Sequence, residues 1–255
     1  MAFFEATHLH KRFGSQVVLQ GISLAVERGE LRGLMGPNGA GKTTCFNVLT
    51  GLHRPDSGRV MFDGRDITGF APRAVARCGI SRSFQVMNLF DEYSAIDNVV
   101  VGLPSVRARG WSMLRDLARQ SSAYDEAAAI LARVGLAGKE GVASRSLAYG
   151  ERRALEIGVA LAARPQLLFL DEPTAGLGIE GTARLAELVA ALKGQLTMVV
   201  IEHDMRFLFG LADRVSVIHW GQVIAEGSPA QLRADPWVQR SALGSAGLAE
   251  GGAPP

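Results

Sequence analysis

GPNGAGKTT occupies residues 36–44. The short apolar stretch Leu31–Met35 runs into it as a strand, and Thr43–Leu49 follows with helical spacing, ending near Gly51. Strand, glycine turn and helix in that order make a phosphate-binding loop. Gly36, Gly39 and Gly41 let backbone amides turn inward around phosphate oxygens, and the helix N-terminus behind them adds the positive end of its dipole. Lys42 brings a point charge for the β- and γ-phosphates, Thr43 a hydroxyl for Mg²⁺ and Thr44 a hydroxyl for a phosphate oxygen. A glycine turn ahead of a core helix would not need the Lys-Thr pair. The cofactor-binding set here is Gly36, Pro37, Asn38, Gly39, Ala40, Gly41, Lys42, Thr43 and Thr44.

Working outward, LLFLDEP (167–173) is an apolar strand ending in paired acids. Asp171 is placed to reach the Mg²⁺ shell through water, and Glu172 beside it points elsewhere, as suits a base orienting the attacking water. Gln85 follows a strand over 80–84, where its amide can sense Mg²⁺ and the γ-phosphate. His203 closes the stretch TMVVIEH and can hydrogen-bond the γ-phosphate while neutral. Either residue alone would read as structural; their order along the chain raises them. Phe13, in KRFG, can stack on a nucleobase, with core packing as the competing reading. His8 and His10 form an H-x-H pair with no third ligand nearby, so no metal site is expected there.

The rest of the chain supplies a frame for these residues. The first thirty positions alternate apolar and polar around Gly14 and Gly21, a β-rich entry, and residues 58–67 read as a hairpin turning at Asp63-Gly64. From about 92 to 160 the apolar spacing turns helical, as in YDEAAAILARVGL (124–136). Strand 167–170, helix 182–193, strand 197–201, helix 205–211 and strand 214–219 then alternate, which implies a parallel sheet covered by helices. A short helix is expected from Asp235-Pro236, and SAGLAEGGAPP (245–255) should be a flexible tail. The expected domains are therefore 1–91 with 161–244, the inserted helices 92–160, and the tail.

A net charge of +2, with no basic run interleaved with aromatics, argues against a nucleic-acid partner; Arg107, Arg109 and Arg115 read as a solvated helix face. No apolar run reaches membrane-spanning length, and MAFFEATHLH lacks the features of a signal peptide. Cys45 and Cys78 have neither metal-like nor redox-like spacing and read as reduced thiols. Cys45 lies near the start of the helix behind the loop, a position that can activate a thiol, but it reads as a small core residue.

GPNGAGKTT, Gln85, LAYGE (147–151), LLFLDEP, AGLG (175–178) and His203 together resemble the ATP-binding subunit of an ABC transporter, over about residues 3–244. The resemblance implies an α/β P-loop NTPase of ABC type, with a RecA-like parallel-sheet core, an N-terminal antiparallel β part and an inserted α-helical subdomain. It also implies ATP and Mg²⁺ as cofactors. LAYGERRALEI (147–157), IEHDMRF (201–207), VIAEGSP (223–229) and DPWVQRSALG (235–244) carry a narrower resemblance to the ATPases of branched-chain amino-acid importers, a group that also serves urea and short-chain amides. That group implies a peripheral protein on the cytoplasmic face of the inner membrane. Its partners would be two membrane permeases, a periplasmic binding protein acting indirectly, and a second ABC ATPase, identical or related. In such a head-to-tail dimer Leu147, Ala148, Tyr149, Gly150 and Glu151 would cap the partner's nucleotide. Ala148 and Tyr149 depart from the common Ser-Gly, Gly178 stands where an acid or amide is common, and Ala154 and Val159 stand where Arg is common. The ATPase of a lipid-directed exporter and a non-transport ABC ATPase are the alternatives.

Overall fold

The computed structural model describes residues 2–83, 89–107, 121–236 and 238. The chain divides into two compact units, one made of residues up to Ala71 with those from Val199 onward, the other of Pro72–Met198.

The first unit opens with a hairpin of β1 (Phe4–Phe13) and β2 (Gln16–Val26), antiparallel from Phe4 opposite Val26 to Phe13 opposite Gln16. On β2 every second residue from Ile22 to Val26 is buried, the period-2 pattern of a strand with one face on a core. β4 (Ser57–Phe62) pairs with β1, and β5 (Arg65–Asp66) with β4, giving the order β2-β1-β4-β5. The β4–β5 turn is the expected Asp63-Gly64, with φ of 48° and 75°, positive at both central positions as a tight hairpin requires.

The same unit holds β3 (Leu31–Met35), buried at all five positions. β3 lies parallel to β9 (Arg214–His219), which pairs antiparallel with β10 (Gln222–Gly227). On the other side of β3 runs β8 (Thr197–Ile201), inside which the unit boundary falls. Continuous burial rather than alternation marks β3 and β8 as strands covered on both faces. Its helices include α1 (Lys42–Leu49), α8 (Met205–Leu211) and α9 (Pro229–Ala234). Helix α9 begins at a capping box: Ser228 Oγ accepts from Gln231 N, and Gln231 Oε1 accepts from Ser228 N. Asp235 then accepts from Val238 N at 3.3 Å, the capping contact expected of it.

The second unit contains the parallel pair β6 (Ile80–Arg82) and β7 (Leu167–Asp171), and helices α2 (Pro72–Arg77), α3 (Ala95–Gly102), α4 (Pro104–Arg107), α5 (Ser121–Arg133), α6 (Tyr149–Ala162) and α7 (Ile179–Leu192). Val99, Val100 and Leu103, Ala127, Ile130 and Leu131, and Leu155, Ile157 and Leu161 are all buried, as helical spacing predicts for 92–160. Each such aliphatic side chain contributes about 1.5–3 kcal/mol on burial. Helix α7 starts three residues before the expected 182, because Gly178 serves as N-cap without a side chain to signal it. β6 ends at Arg82 rather than at residue 84.

Candidate nucleotide site

In the first unit β3 delivers the chain into the glycine loop. Gly36 permits an approach no other residue could make: a Cβ there would lie 2.0 Å from the Ile218 carbonyl oxygen. Helix α1 starts behind Gly41, which is left-handed and provides no side-chain cap, so the cap position itself satisfies none of the helix's opening amides. Lys42 Nζ donates to the carbonyls of Gly36 (2.7 Å) and Pro37 (3.0 Å), holding the ammonium against the loop. Thr43 is exposed and Thr44 half-buried. Uncapped amides, an ammonium and a free-standing hydroxyl make a fit to a polyphosphate and its Mg²⁺. Among the described residues no group of three or more His, Cys, Asp or Glu could hold a metal unaided.

The loop is braced from residues that local sequence does not mark. Gly221 N donates to the Ala40 carbonyl at 3.0 Å, Gln20 N donates to the Gly221 carbonyl at 2.8 Å, and Gln20 Nε2 donates to the Trp220 carbonyl at 3.0 Å. Trp220-Gly221 is the tight turn between β9 and β10, with φ of 45° and 72°.

Phe13 is 44% exposed, which removes the core reading. Its ring meets His53 edge-on at 5.3 Å, with Lys11 Nζ 5.5 Å from its centroid. Asp56 fixes this corner, accepting from Arg12 N (2.7 Å) and Lys11 Nζ (3.0 Å), and those two bonds hold its carboxyl below the ordinary range. His203 lies just past β8, which ends at Ile201, and its side chain is 60% exposed. Between them Glu202 is fully buried and accepts from the amides of His203 (3.0 Å) and Asp204 (3.2 Å), so the turn carrying His203 is pinned from inside. Cys45 is wholly buried and its thiol is pushed up to about 12 by desolvation, so position near the helix start does not activate it.

In the second unit Asp171 ends β7, 3% exposed, and its amide donates to Ser83 Oγ at 3.2 Å. Partial burial draws the Arg82 pKa below its ordinary value, and the charge of Asp171 works against that shift. Glu172 follows in the left-handed region at φ 43°, uncommon for a residue with a side chain. The LAYGE segment forms the start of α6. Ala148 stands at its N-cap with no side-chain cap, while Glu151 reaches back to accept from Ala148 N at 3.0 Å. Lys139 pairs with Glu151 and holds its carboxyl below the ordinary range. Tyr149 is 46% exposed, and its hydroxyl donates to the Ala175 carbonyl at 3.1 Å. Leu147 is buried and Gly150 half-buried. Gln85 and Met87 lie outside the described residues, as do Arg109, Trp111, Arg115 and the 245–255 segment. Phe90 and Tyr93 stack at 5.2 Å and are 54% and 44% exposed.

A mixed α/β core, a glycine loop opening a helix, an acid-tipped buried strand and a second uncapped helix behind LAYGE define an ATP-binding cassette. The sequence profile of the ABC transporter family matches residues 19–175, and the chain belongs to that family and is an ATPase of its type. It is 39% identical over 245 residues to the high-affinity branched-chain amino acid transport ATP-binding protein LivG of Salmonella typhimurium, covering 93% of this chain and 96% of LivG. It is 37% identical over 251 residues to BraF of Pseudomonas aeruginosa, a protein of the same description, covering 95% and 98%. The lipopolysaccharide export system ATP-binding protein LptB of Acidithiobacillus ferridurans is 34% identical over 241 residues, covering 94% and 96%. Among solved structures, the ADP conformation of MJ1267, an ATP-binding cassette of an ABC transporter, superposes with a TM-score of 0.83 at 30% identity, over 96% of this chain and 99% of that one.

Proposed function

We propose that this chain is the ATP-hydrolysing motor of an importer for branched-chain amino acids or related small polar solutes such as urea or amides. The observation that carries the mechanism is that α1 and α6 both begin at an N-cap residue whose own side chain caps no amide, each at a motif of nucleotide-binding type. The amides of α1 hold the chain's own ATP; those of α6, with Leu147–Glu151, are offered to the nucleotide of a second ABC ATPase, identical or related. Thr43, Asp171 and Gln85 would hold Mg²⁺, which neutralises charge on the transferring phosphoryl group. Lys42 binds the β- and γ-phosphates, Phe13 stacks on the base, His203 bonds the γ-phosphate, and Glu172 orients the attacking water. The helices between 92 and 160 act as the signature subdomain.

Among the described residues no helix is long and apolar enough to cross a membrane. Two permeases, fed by a periplasmic binding protein, would bring this subunit to the cytoplasmic face of the inner membrane. The exposed Phe90–Tyr93 stack is the proposed docking point. Asn98, 2% exposed, holds it by accepting from Phe90 N and donating to the carbonyls of Phe90, Tyr93 and Ser94. The likeness to LptB supports a second reading, the ATPase of a lipid-directed exporter. Co-expression with candidate permeases decides: membrane association that depends on them, lost in Phe90→Asp while ATP affinity stays within a few-fold, supports the docking. ATPase activity stimulated by a binding protein loaded with leucine or urea supports the importer, and stimulation by lipid instead would overturn it.

A further inference from the structure

Arg153 is the feature of the second unit that the proposed mechanism leaves unused. It lies in the second turn of α6 and is 1% exposed, among the most buried side chains of the protein. A buried guanidinium needs a counter-charge, and Glu156, 5% exposed and one turn on, supplies it: Nη1 to Glu156 Oε2 is 2.7 Å. Neutralisation alone would be satisfied there. Yet Nε also donates to the Pro173 carbonyl at 3.2 Å and Nη2 to the Glu172 carbonyl at 3.1 Å. The planar fork thus spans one carboxylate and two consecutive backbone oxygens in different directions, which a lysine ammonium on its single point cannot do.

Those two oxygens belong to a segment whose backbone conformation is unfavourable by itself. Glu172 sits at φ 43°, and a non-glycine residue stays there only where its surroundings fix it. Its carbonyl accepts both Arg153 and the Ala175 amide, the latter at 3.0 Å. A second side chain from the same helix face closes on the same segment. The Tyr149 hydroxyl bonds the Ala175 carbonyl, and its ring fills the space over Gly176, where a Cβ would lie 2.9 Å from the hydroxyl oxygen.

We propose that Arg153 is a positioning residue for ATP hydrolysis, locking the Glu172–Pro173 backbone to the signature helix, with Tyr149 as a weaker second tie. This rests on the role proposed for Glu172. The helix that faces a partner's nucleotide and the residue that orients water on the chain's own nucleotide then move as one piece. Displacing α6 turns the Glu172 carboxylate away from the water, and seating α6 sets it.

The test is a double-mutant cycle on the assembled transporter, reading kcat and KM for ATP. Arg153→Lys, which keeps the charge opposite Glu156 but not the fork, should lower kcat by about ten- to a hundredfold, the scale of a small misplacement of a reacting group, with KM unchanged. In a Glu172→Gln background, where residual hydrolysis no longer uses the carboxylate, Arg153→Lys should cause no further loss. An equal loss in both backgrounds, a rise in KM matching the fall in kcat, or an unchanged kcat would overturn the proposal. If Glu172→Gln alone leaves the rate at wild type, the role of Glu172 fails first and takes this inference with it. Should Arg153→Lys not yield folded protein, Tyr149→Phe carries the cycle, since its hydroxyl is at the surface. A kcat loss of about two- to tenfold, the worth of one hydrogen bond, should appear only with Glu172 intact; no loss, or the same loss in both backgrounds, overturns it.

Discussion

Substituting Gly221 by alanine should damage the phosphate loop although Gly221 belongs to no nucleotide motif. A Cβ at 221 would lie 2.2 Å from the Val18 carbonyl oxygen and 2.9 Å from its carbon, a backbone clash that no rotamer change relieves. The turn must therefore lift, breaking the bond from Gly221 N to Ala40 O and that from Gln20 N to Gly221 O. Two lost hydrogen bonds cost about 1–3 kcal/mol, and an L-residue in the left-handed region adds roughly 1–2 kcal/mol. The expected destabilisation is about 3 kcal/mol, or roughly 6–12 °C in Tm for a chain of this size. Gly64→Ala is the control: its φ is 75°, but nothing lies within 4 Å of the added carbon, so only the conformational cost of roughly 1–2 kcal/mol applies. Thermal unfolding and titration with a fluorescent ATP analogue should show both the larger loss and a weakened ATP affinity for Gly221→Ala. Equal stability losses in the two variants, with ATP affinity intact, would refute the claim that the β9–β10 turn braces the loop.

Lys42→Ala should weaken ATP binding by about ten- to a hundredfold, the worth of a charge-assisted hydrogen bond, measured by the same titration. Glu151 titrates below its ordinary 4.5, chiefly because of Lys139. The stability from that pair is therefore present above the ordinary value and lost as pH falls through the depressed one. Lys139→Met should accordingly lower stability at about pH 7 by an amount that shrinks as pH falls below the ordinary carboxylate value and through the depressed one, as urea unfolding at a series of pH values would show. Cys45, with its thiol pushed up to about 12 and wholly buried, should resist thiol reagents at about pH 8 until denaturant is added, whereas half-buried Cys78 should react.

The features legible in the sequence were those whose cause is local. GPNGAGKTT announces a turn and a helix start within nine residues, LLFLD a fully buried strand, Asp63-Gly64 a hairpin turn, and the spacing in 124–136 a helix. Ser228-Pro229 with Gln231 would have announced α9 by the same logic, as a capping box with proline in the first turn. Other features depend on partners far along the chain. Gln20 and Trp220 stand 200 positions apart and Arg153 and Pro173 twenty, and nothing near either arginine or turn says where its hydrogen bonds go. Arg153 in particular looks like a surface charge in ERRALEI until its burial is known. Phe13 failed to declare itself for the opposite reason: an aromatic near a turn serves a core or a ligand equally well until its exposure is measured.

The Phe90–Tyr93 stack carries a thermodynamic consequence. Association usually costs about 0.5–1.5 kcal/mol for each flexible side chain immobilised at an interface. Here Asn98, itself buried, has already fixed the backbone at Phe90 and Tyr93 with bonds of 2.8–3.4 Å, and the rings lie 28° from coplanar before anything binds. In the proposed docking, that ordering cost would be met when the chain folds rather than when a permease binds. Asn98→Ala should therefore leave the aromatic surface chemically intact and yet weaken docking entropically, a loss visible in the temperature dependence of complex assembly.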